Sequence, residues 1–385
     1  MIKKYCKLQE VVNITPSKKQ LSNNVWLLNL DMIEQQSGKI IQYHFVEKNS
    51  INSSTIQFDT DTVLYSKLRP NLNKVVLPDK DGYATSEILP LKPDLSVLTK
   101  EYLVYFLRSS YFVNYICTKV SGAKMPRASR KELLNSIIPL PPLDEQKRIA
   151  AILDKATELI ALRKQQLEKL DLLVKSRFIE MFGDPVENPK NWKTKTIRDA
   201  SQRVSDGPFG SNLKSEHYTS SGIRVIRLQN IGVSQFIDID SVYVSIEHYA
   251  KIKKYTCHAG EIVIGTLGVP NLRACIIPNH IEKAINKADC VHFIPDKNIL
   301  NSFFACYYLN QPATLALAEG SIHGQTRSRI SMSQVANLPI FLPPLLLQEE
   351  FAAFVQQVDK SKSTLQQSLE KLELNYKALM QTYFG

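Results

Sequence analysis

The sequence is short of cysteine and tryptophan and has no long apolar run, and each shortage removes a class of protein. Its 385 residues include two tryptophans and six cysteines, Cys6, Cys117, Cys257, Cys275, Cys290 and Cys306, with no C-x-x-C pair. Scattered thiols suit a reducing compartment and exclude a disulfide framework or a zinc ribbon. The nearest approach to a metal site is Cys257-His258 with Cys290 and His292. Adjacent ligands and a one-residue gap fit tetrahedral zinc poorly, so buried thiols are the expected state and no metal is assigned. No stretch of about 18 apolar residues could cross a membrane. Met1-Ile2-Lys3-Lys4-Tyr5-Cys6 lacks the apolar stretch of a secretory signal. A cytoplasmic protein without membrane contact is expected.

Catalytic signatures are missing too. There is no G-x-x-x-x-G-K-[ST] loop, no H-E-x-x-H, no Asn-Pro-Pro-Tyr or Asp-Pro-Pro-Tyr and no F-x-G-x-G. Gly265-Thr266-Leu267-Gly268 lacks a third glycine and a following helix, and is expected to be a strand-to-strand turn. The acid pairs Asp59/Asp61 and Asp238/Asp240 have the period-two spacing of a solvated strand edge more than that of nuclease metal ligands. Catalysis by this chain alone is not expected, and neither is a cofactor of its own.

What is present is a duplication. Ile138-Pro139-Leu140-Pro141-Pro142-Leu143 recurs as Ile340-Phe341-Leu342-Pro343-Pro344-Leu345, and Leu167-Glu168-Lys169-Leu170 as Leu369-Glu370-Lys371-Leu372, both at an offset of 202. The same offset relates Gly122 to Gly324, Arg127 to Arg329, Ser129 to Ser331 and Asn135 to Asn337. A lobe and the helix that follows it have been copied, which predicts near two-fold symmetry within one polypeptide, and duplex DNA offers matching symmetry. Hydrophobic residues at 44% and charged residues at 22% are ordinary for a globular chain of two or three domains.

Charge separates lobes from helices. The formal net charge of +11 divides into +7 over residues 1–143, +1 over 144–183, +4 over 184–342 and −1 over 343–385. A polyanion should therefore touch the lobes. In the first lobe 62–66 and 74–77 read as strands with turns at Pro70-Asn71 and Asp81-Gly82; in the second, 223–228 and 261–264 do. Short helices are expected over 101–115 and 300–309, making each lobe mixed α and β.

After Pro141-Pro142, Asp144-Glu145 suits the positive end of a helix dipole. Ile149, Leu153, Ala156, Ile160, Arg163, Leu167, Leu170, Val174, Arg177 and Met181 then alternate in steps of four and three, a coiled-coil seam. Phe351, Val355, Val358, Lys362, Leu365, Leu369, Leu372, Tyr376, Leu379 and Tyr383 repeat it. Two helices of about 40 residues, each about 60 Å long, are predicted to bury their seams against each other. Both meet the second lobe at its base, which favours antiparallel pairing without a long return loop.

The stretch Leu140-Pro141-Pro142-Leu143-Asp144-Glu145-Gln146, the helix to Phe182-Gly183-Asp184-Pro185, its second copy and Asn191-Trp192-Lys193 resemble the specificity (S, HsdS) subunit of type I restriction-modification systems. Asp206-Gly207-Pro208-Phe209-Gly210-Ser211-Asn212-Leu213-Lys214 is similar to a stretch of such lobes. The resemblance covers the whole chain. It departs where Leu346-Leu347-Gln348 partly replaces Asp144-Glu145-Gln146, and in the first lobe, which lacks D-G-P-F-G-S.

The resemblance implies an α+β chain of two mixed α/β target recognition domains in pseudo-two-fold arrangement, joined by a long antiparallel two-helix coiled coil. Its expected bounds are 1–143 and 184–342 for the lobes, with 144–183 and 343–385 for the helices. It further implies that each lobe reads half of a split double-stranded DNA target and that the helices dock two modification (methyltransferase) subunits. Those partners would use S-adenosylmethionine to methylate adenine, and restriction (motor-nuclease) subunits would use ATP and Mg.

Base readout needs fixed donors and acceptors at loop and strand ends, with phosphate contacts setting register. In the first lobe the candidates are Lys67, Arg69, Asn71, Lys124, Arg127 and Arg130. In the second they are Ser211, Asn212, Lys214, Arg224, Arg227, Gln229, Asn230, Asn271, Arg273, His323, Gln325 and Arg327. Arg69-Pro70-Asn71 and Val269-Pro270-Asn271 share a Pro-Asn turn followed by a basic residue. Two rival readings are a protein-interaction scaffold with two adaptor lobes, against which the cationic lobes argue, and a stand-alone DNA regulator.

Overall fold

The computed structural model describes residues 5–122, 124–319 and 329–385. The chain divides into two compact units, residues 1–165 with 366–385, and residues 166–365. Each unit therefore takes half of each long helix. Lobe and helix bounds expected from sequence follow the chain, whereas compactness follows packing, and packing splits both helices near their middles.

The first unit holds two sheets of four strands. One is antiparallel, in the order Val12–Ile14, Ile88–Pro93, Val63–Ser66, Val75–Val76. The other runs Phe45–Glu47, Asn24–Leu28, Gly82–Ala84, Ile56–Phe58, with Asn24–Leu28 and Gly82–Ala84 parallel. The strand Val63–Ser66 is buried at every position, so it reads as a continuous apolar run and not as an alternation. The expected helix over 101–115 is two helices, Lys100–Arg108 and Ser110–Cys117. Ser109 breaks it: its backbone is extended, and its hydroxyl accepts from the Phe112 N–H, capping the second helix.

The second unit repeats the plan. An antiparallel sheet runs Ser201–Ser205, Cys290–Pro295, Ile262–Gly265, Arg273–Ile276. A five-stranded sheet runs Tyr218–Thr219, Val242–Val244, Ile223–Ile226, Lys283–Asn286, Thr256–His258, again with one parallel pair, Ile223–Ile226 with Lys283–Asn286. Residues 265–268 join two antiparallel strands, as the turn expectation required.

The long helices are Leu143–Phe182 and Leu345–Phe384, 40 residues each. In the first unit Ile149, Ala150 and Leu153 share a core with Met380 and Phe384, while Lys164 pairs with Glu373 at 3.0 Å. In the second unit Val174, Phe178 and Phe182 share a core with Phe351 and Val355, and Lys362 pairs with Asp171 at 2.6 Å. In both, later residues of one helix face earlier residues of the other, so the halves pair antiparallel. Along the first helix Ile149, Leu153, Val174 and Met181 are buried and the seam positions from Ala156 to Leu170 are half-buried; along the second Phe351, Val355, Val358 and Leu369 are buried and the other seam positions half-buried, because two helices alone cannot enclose a seam. Arg177 departs from the seam: it pairs with Glu180, and Phe178 beside it is fully buried.

One duplicated residue ties each helix to its lobe. Gln146 is fully buried, accepts from the Thr99 N–H at 2.9 Å and donates to the carbonyls of Val97 and Pro141, both at 2.8 Å. Gln348, at the offset position, accepts from Asn301 N–H at 2.9 Å and donates to Ile299 and Pro343 at 3.0 and 2.8 Å. The glutamine recurs where its two acidic neighbours are replaced by Leu346-Leu347, and in both copies it makes the same three bonds.

Candidate nucleic-acid interface

In the first unit a backbone bridge between Leu68 and Arg127 brings the tip of the 66–75 hairpin against the segment carrying Lys124, Arg127 and Arg130. Lys67 is fixed through its backbone, to Glu87 O at 3.0 Å and Ala128 N at 2.9 Å, which leaves its half-buried side chain to reach outward. Arg69 is exposed at a left-handed φ of 49°, held by its N–H on Pro126 O at 2.8 Å. Asn71 and Lys124 are also exposed. Arg127 spends its Nε on both oxygens of Glu87 at 3.1 Å, and Arg130 donates to Ile14 O at 2.7 Å. Lys67, Arg69, Asn71 and Lys124 thus form one presented group, with Arg127 and Arg130 tethered at its border.

The second unit bridges the matching hairpin in the same way, Leu267 to Arg329. Four of its candidates are corrected by their surroundings. Arg273 donates to the carbonyls of Ile231, Leu267, Pro270 and Leu228, so it braces the hairpin loop from inside. Asn230 is fully buried and ties the Ile237 and Ile239 carbonyls. Asn271 is buried. Arg224 is 6% exposed and ion-paired to Asp238 at 2.9 Å. Their shared cause is that a strand-and-turn pattern does not say which face a polar side chain takes. His323, Gln325 and Arg327 lie outside the described residues.

Among the remaining candidates, Arg227 packs on Tyr218. Its ring has the Arg227 guanidinium at 5.8 Å and the Lys287 ammonium at 5.4 Å, a paired cation–π arrangement. Ser211, Asn212 and Lys214 are exposed just before it. Asn212 O meets His248 Nε2 at 2.9 Å, Lys214 N–H donates to His217 Nδ1 at 3.0 Å, and the two imidazole rings lie 4.2 Å apart. Gln229 is exposed beside Arg227. Gly207 is needed where it stands, since a Cβ there would meet the Asn286 carbonyl oxygen at 2.4 Å. Burial pushes the neighbouring Asp206 carboxyl up, against the pull of Arg329.

Sequence reasoning missed Tyr218 and Lys287, and assigned Asp238 and Asp240 to a solvated strand edge, whereas they pair with Arg224 and Arg227. Lys287 follows a buried strand end, and only the turn of the sheet brings it over Tyr218. Three of the four residues of the Cys–His grouping are core: Cys257 and Cys290 are fully buried and buried His292 pairs its Nε2 with Glu261 at 2.7 Å, while His258 is exposed.

The family model described as "Type I restriction modification DNA specificity domain" matches residues 3–172 and again 189–374. The chain belongs to this family. Two matches, one per copy of the repeat, fit a DNA specificity domain present twice. The Type I restriction enzyme MjaVIII specificity subunit of Methanocaldococcus jannaschii is 23% identical over 313 residues, spanning 78% of this chain and 73% of that protein. The EcoDI specificity subunit of Escherichia coli is 24% identical over 199 residues, 51% of this chain and 44% of that relative. A solved chain described as "Structural basis underlying complex assembly and conformational transition of the type I R-M system" superposes with a TM-score of 0.61 at 20% identity, covering 99% of this chain and 97% of the other. At that identity the superposition establishes the fold alone.

Proposed function

We propose that this chain is the DNA sequence-reading subunit of a type I restriction-modification complex acting in the cytoplasm. Each unit reads one half of a bipartite duplex target, and the two long helices set the spacing of the halves and dock two methyltransferase subunits. Those subunits bring S-adenosylmethionine and methylate adenine; motor-nuclease subunits bring ATP and Mg. In this chain itself the work is recognition. The observation that carries the reading is one DNA specificity domain built twice, with exposed cationic side chains on each copy, Arg69 and Lys124 on the first and Lys214 on the second. The excess charge lies in the lobes and not in the helices, as phosphate contact requires.

Gel shift of the chain with and without methyltransferase subunits tests it, alongside mapping of methylated adenines in host DNA. The expected result is tight, sequence-specific retardation in the presence of those subunits and a split methylation motif. Equally tight specific binding by the chain alone would make it a regulator, and none under either condition would make it a protein scaffold.

A further inference from the structure

Asp238 and Asp240 have the spacing of a solvated strand edge, and the structure gives them another use. Asp240 Oδ2 accepts from Arg227 NH2 at 2.8 Å and from Gln229 Nε2 at 2.7 Å, and the Asp240 carbonyl takes a further bond from Arg227. Asp238 accepts from Arg224 at 2.9 Å on one oxygen and meets His280 Nε2 at 2.9 Å on the other. One short loop therefore holds three of the polar side chains that follow each other along the strand Ile223–Ile226 and its extension.

The loop is anchored from behind. Asn230, fully buried, donates to the carbonyls of Ile237 and Ile239 at 3.0 Å each, and its own carbonyl accepts from the Ile237 N–H at 2.8 Å. Asp240 has a φ of 53°, in the left-handed region that aspartate enters more readily than most residues with a side chain. The carboxylate side chain is 64% exposed, and what holds it is the loop's backbone anchor together with its two donors, Arg227 and Gln229.

A carboxylate held there dictates how Gln229 must stand. Carboxylates only accept, so the NH2 end of the Gln229 amide faces Asp240 and Oε1 turns away. One amide hydrogen is spent on Asp240, and no other side-chain bond is made by this exposed residue among the described residues. Oε1 and the second hydrogen remain, an acceptor beside a donor. That is the complement of the major-groove edge of adenine, which presents the N6 donor beside the N7 acceptor.

We propose that Asp240 is a positioning residue for base readout, fixing Gln229 so that it reads an adenine in the half-site of the second unit, with Arg227 locked alongside. This rests on the reading of that unit as a DNA-recognition domain. Without Asp240 the amide turns freely, presents either end, and its discrimination among bases falls.

The test is methylation-motif mapping with this chain co-expressed with its methyltransferase subunits, unchanged or carrying Gln229→Ala, Asp240→Ala or Asp240→Asn. Duplexes with 7-deazaadenine at the implicated position are then used for binding. All three variants are expected to lose preference for one adenine by about tenfold or more, in one half-site only. The deaza substitution should weaken the unchanged chain and leave Gln229→Ala indifferent. An unchanged motif in Gln229→Ala overturns the proposal, and this variant removes an exposed side chain with no part in the core. So does uniformly reduced methylation with the motif intact in the Asp240 variants, which is the signature of a brace alone. If the unchanged chain gives no motif at all, the recognition reading itself has failed.

Discussion

His292 sits fully buried on a central strand of the second unit with its Nε2 on Glu261 at 2.7 Å. Burial pushes the Glu261 carboxyl up, but the hydrogen bond from His292 and that from the His258 N–H outweigh it and hold the carboxyl below its ordinary range. A depressed carboxyl stabilises the fold above its unfolded pKa, and that contribution is lost as pH falls through the folded value. Glu261→Gln is therefore expected to lower stability near neutral pH by about 1 to 3 kcal/mol. The gap to the unchanged chain should close in acid, below about pH 4. Urea unfolding at two pH values checks this; a gap that stays constant into acid would show that the carboxylate charge contributes nothing. At this scale the sequence was a poor guide. Arg227 and Arg273 look alike in the chain, yet one reaches the Tyr218 site and the other braces four carbonyls.

Elements were more legible. Helix periodicity survives any packing, so the seam from Ile149 to Met181 and the prolines before it locate a helix that the structure places at Leu143–Phe182. The break at Ser109 was not legible, because a hydrophobic period continues through it and only the cap geometry ends the helix. Junctions were invisible for a related reason: Gln146 and Gln348 look like ordinary polar helix residues. Replacing Gln348 by leucine strands the Asn301 N–H and the Ile299 and Pro343 carbonyls inside the second unit. The expected cost is about 2 to 4 kcal/mol, read by denaturant unfolding as an earlier transition. Gln146→Leu should cost the first unit a similar amount, and a neutral effect at both would mean that the junctions hold by packing alone.

For the whole molecule, the location of charge makes the prediction. Binding to duplex DNA should weaken steeply with salt, and neutralising a lobe cation that touches phosphate should lower the slope of log K against log salt by about 1. Arg69→Gln is expected to do so; Lys147→Gln, on the first long helix, is expected to leave the slope unchanged. A helix variant that shifts the slope as much as a lobe variant would relocate the DNA contact. The duplication, the two helices with their seams and the confinement of positive charge to the lobes are all readable along the chain. These are properties of order along the chain, and periodicity, offset and charge are counted there. Packing sets which polar side chains face out, how Lys287 comes over Tyr218, and why each compact unit contains half of both helices. The physical reason is that burial and hydrogen-bond satisfaction depend on neighbours distant in sequence, so identical residues in similar patterns become either a core brace or a reading side chain.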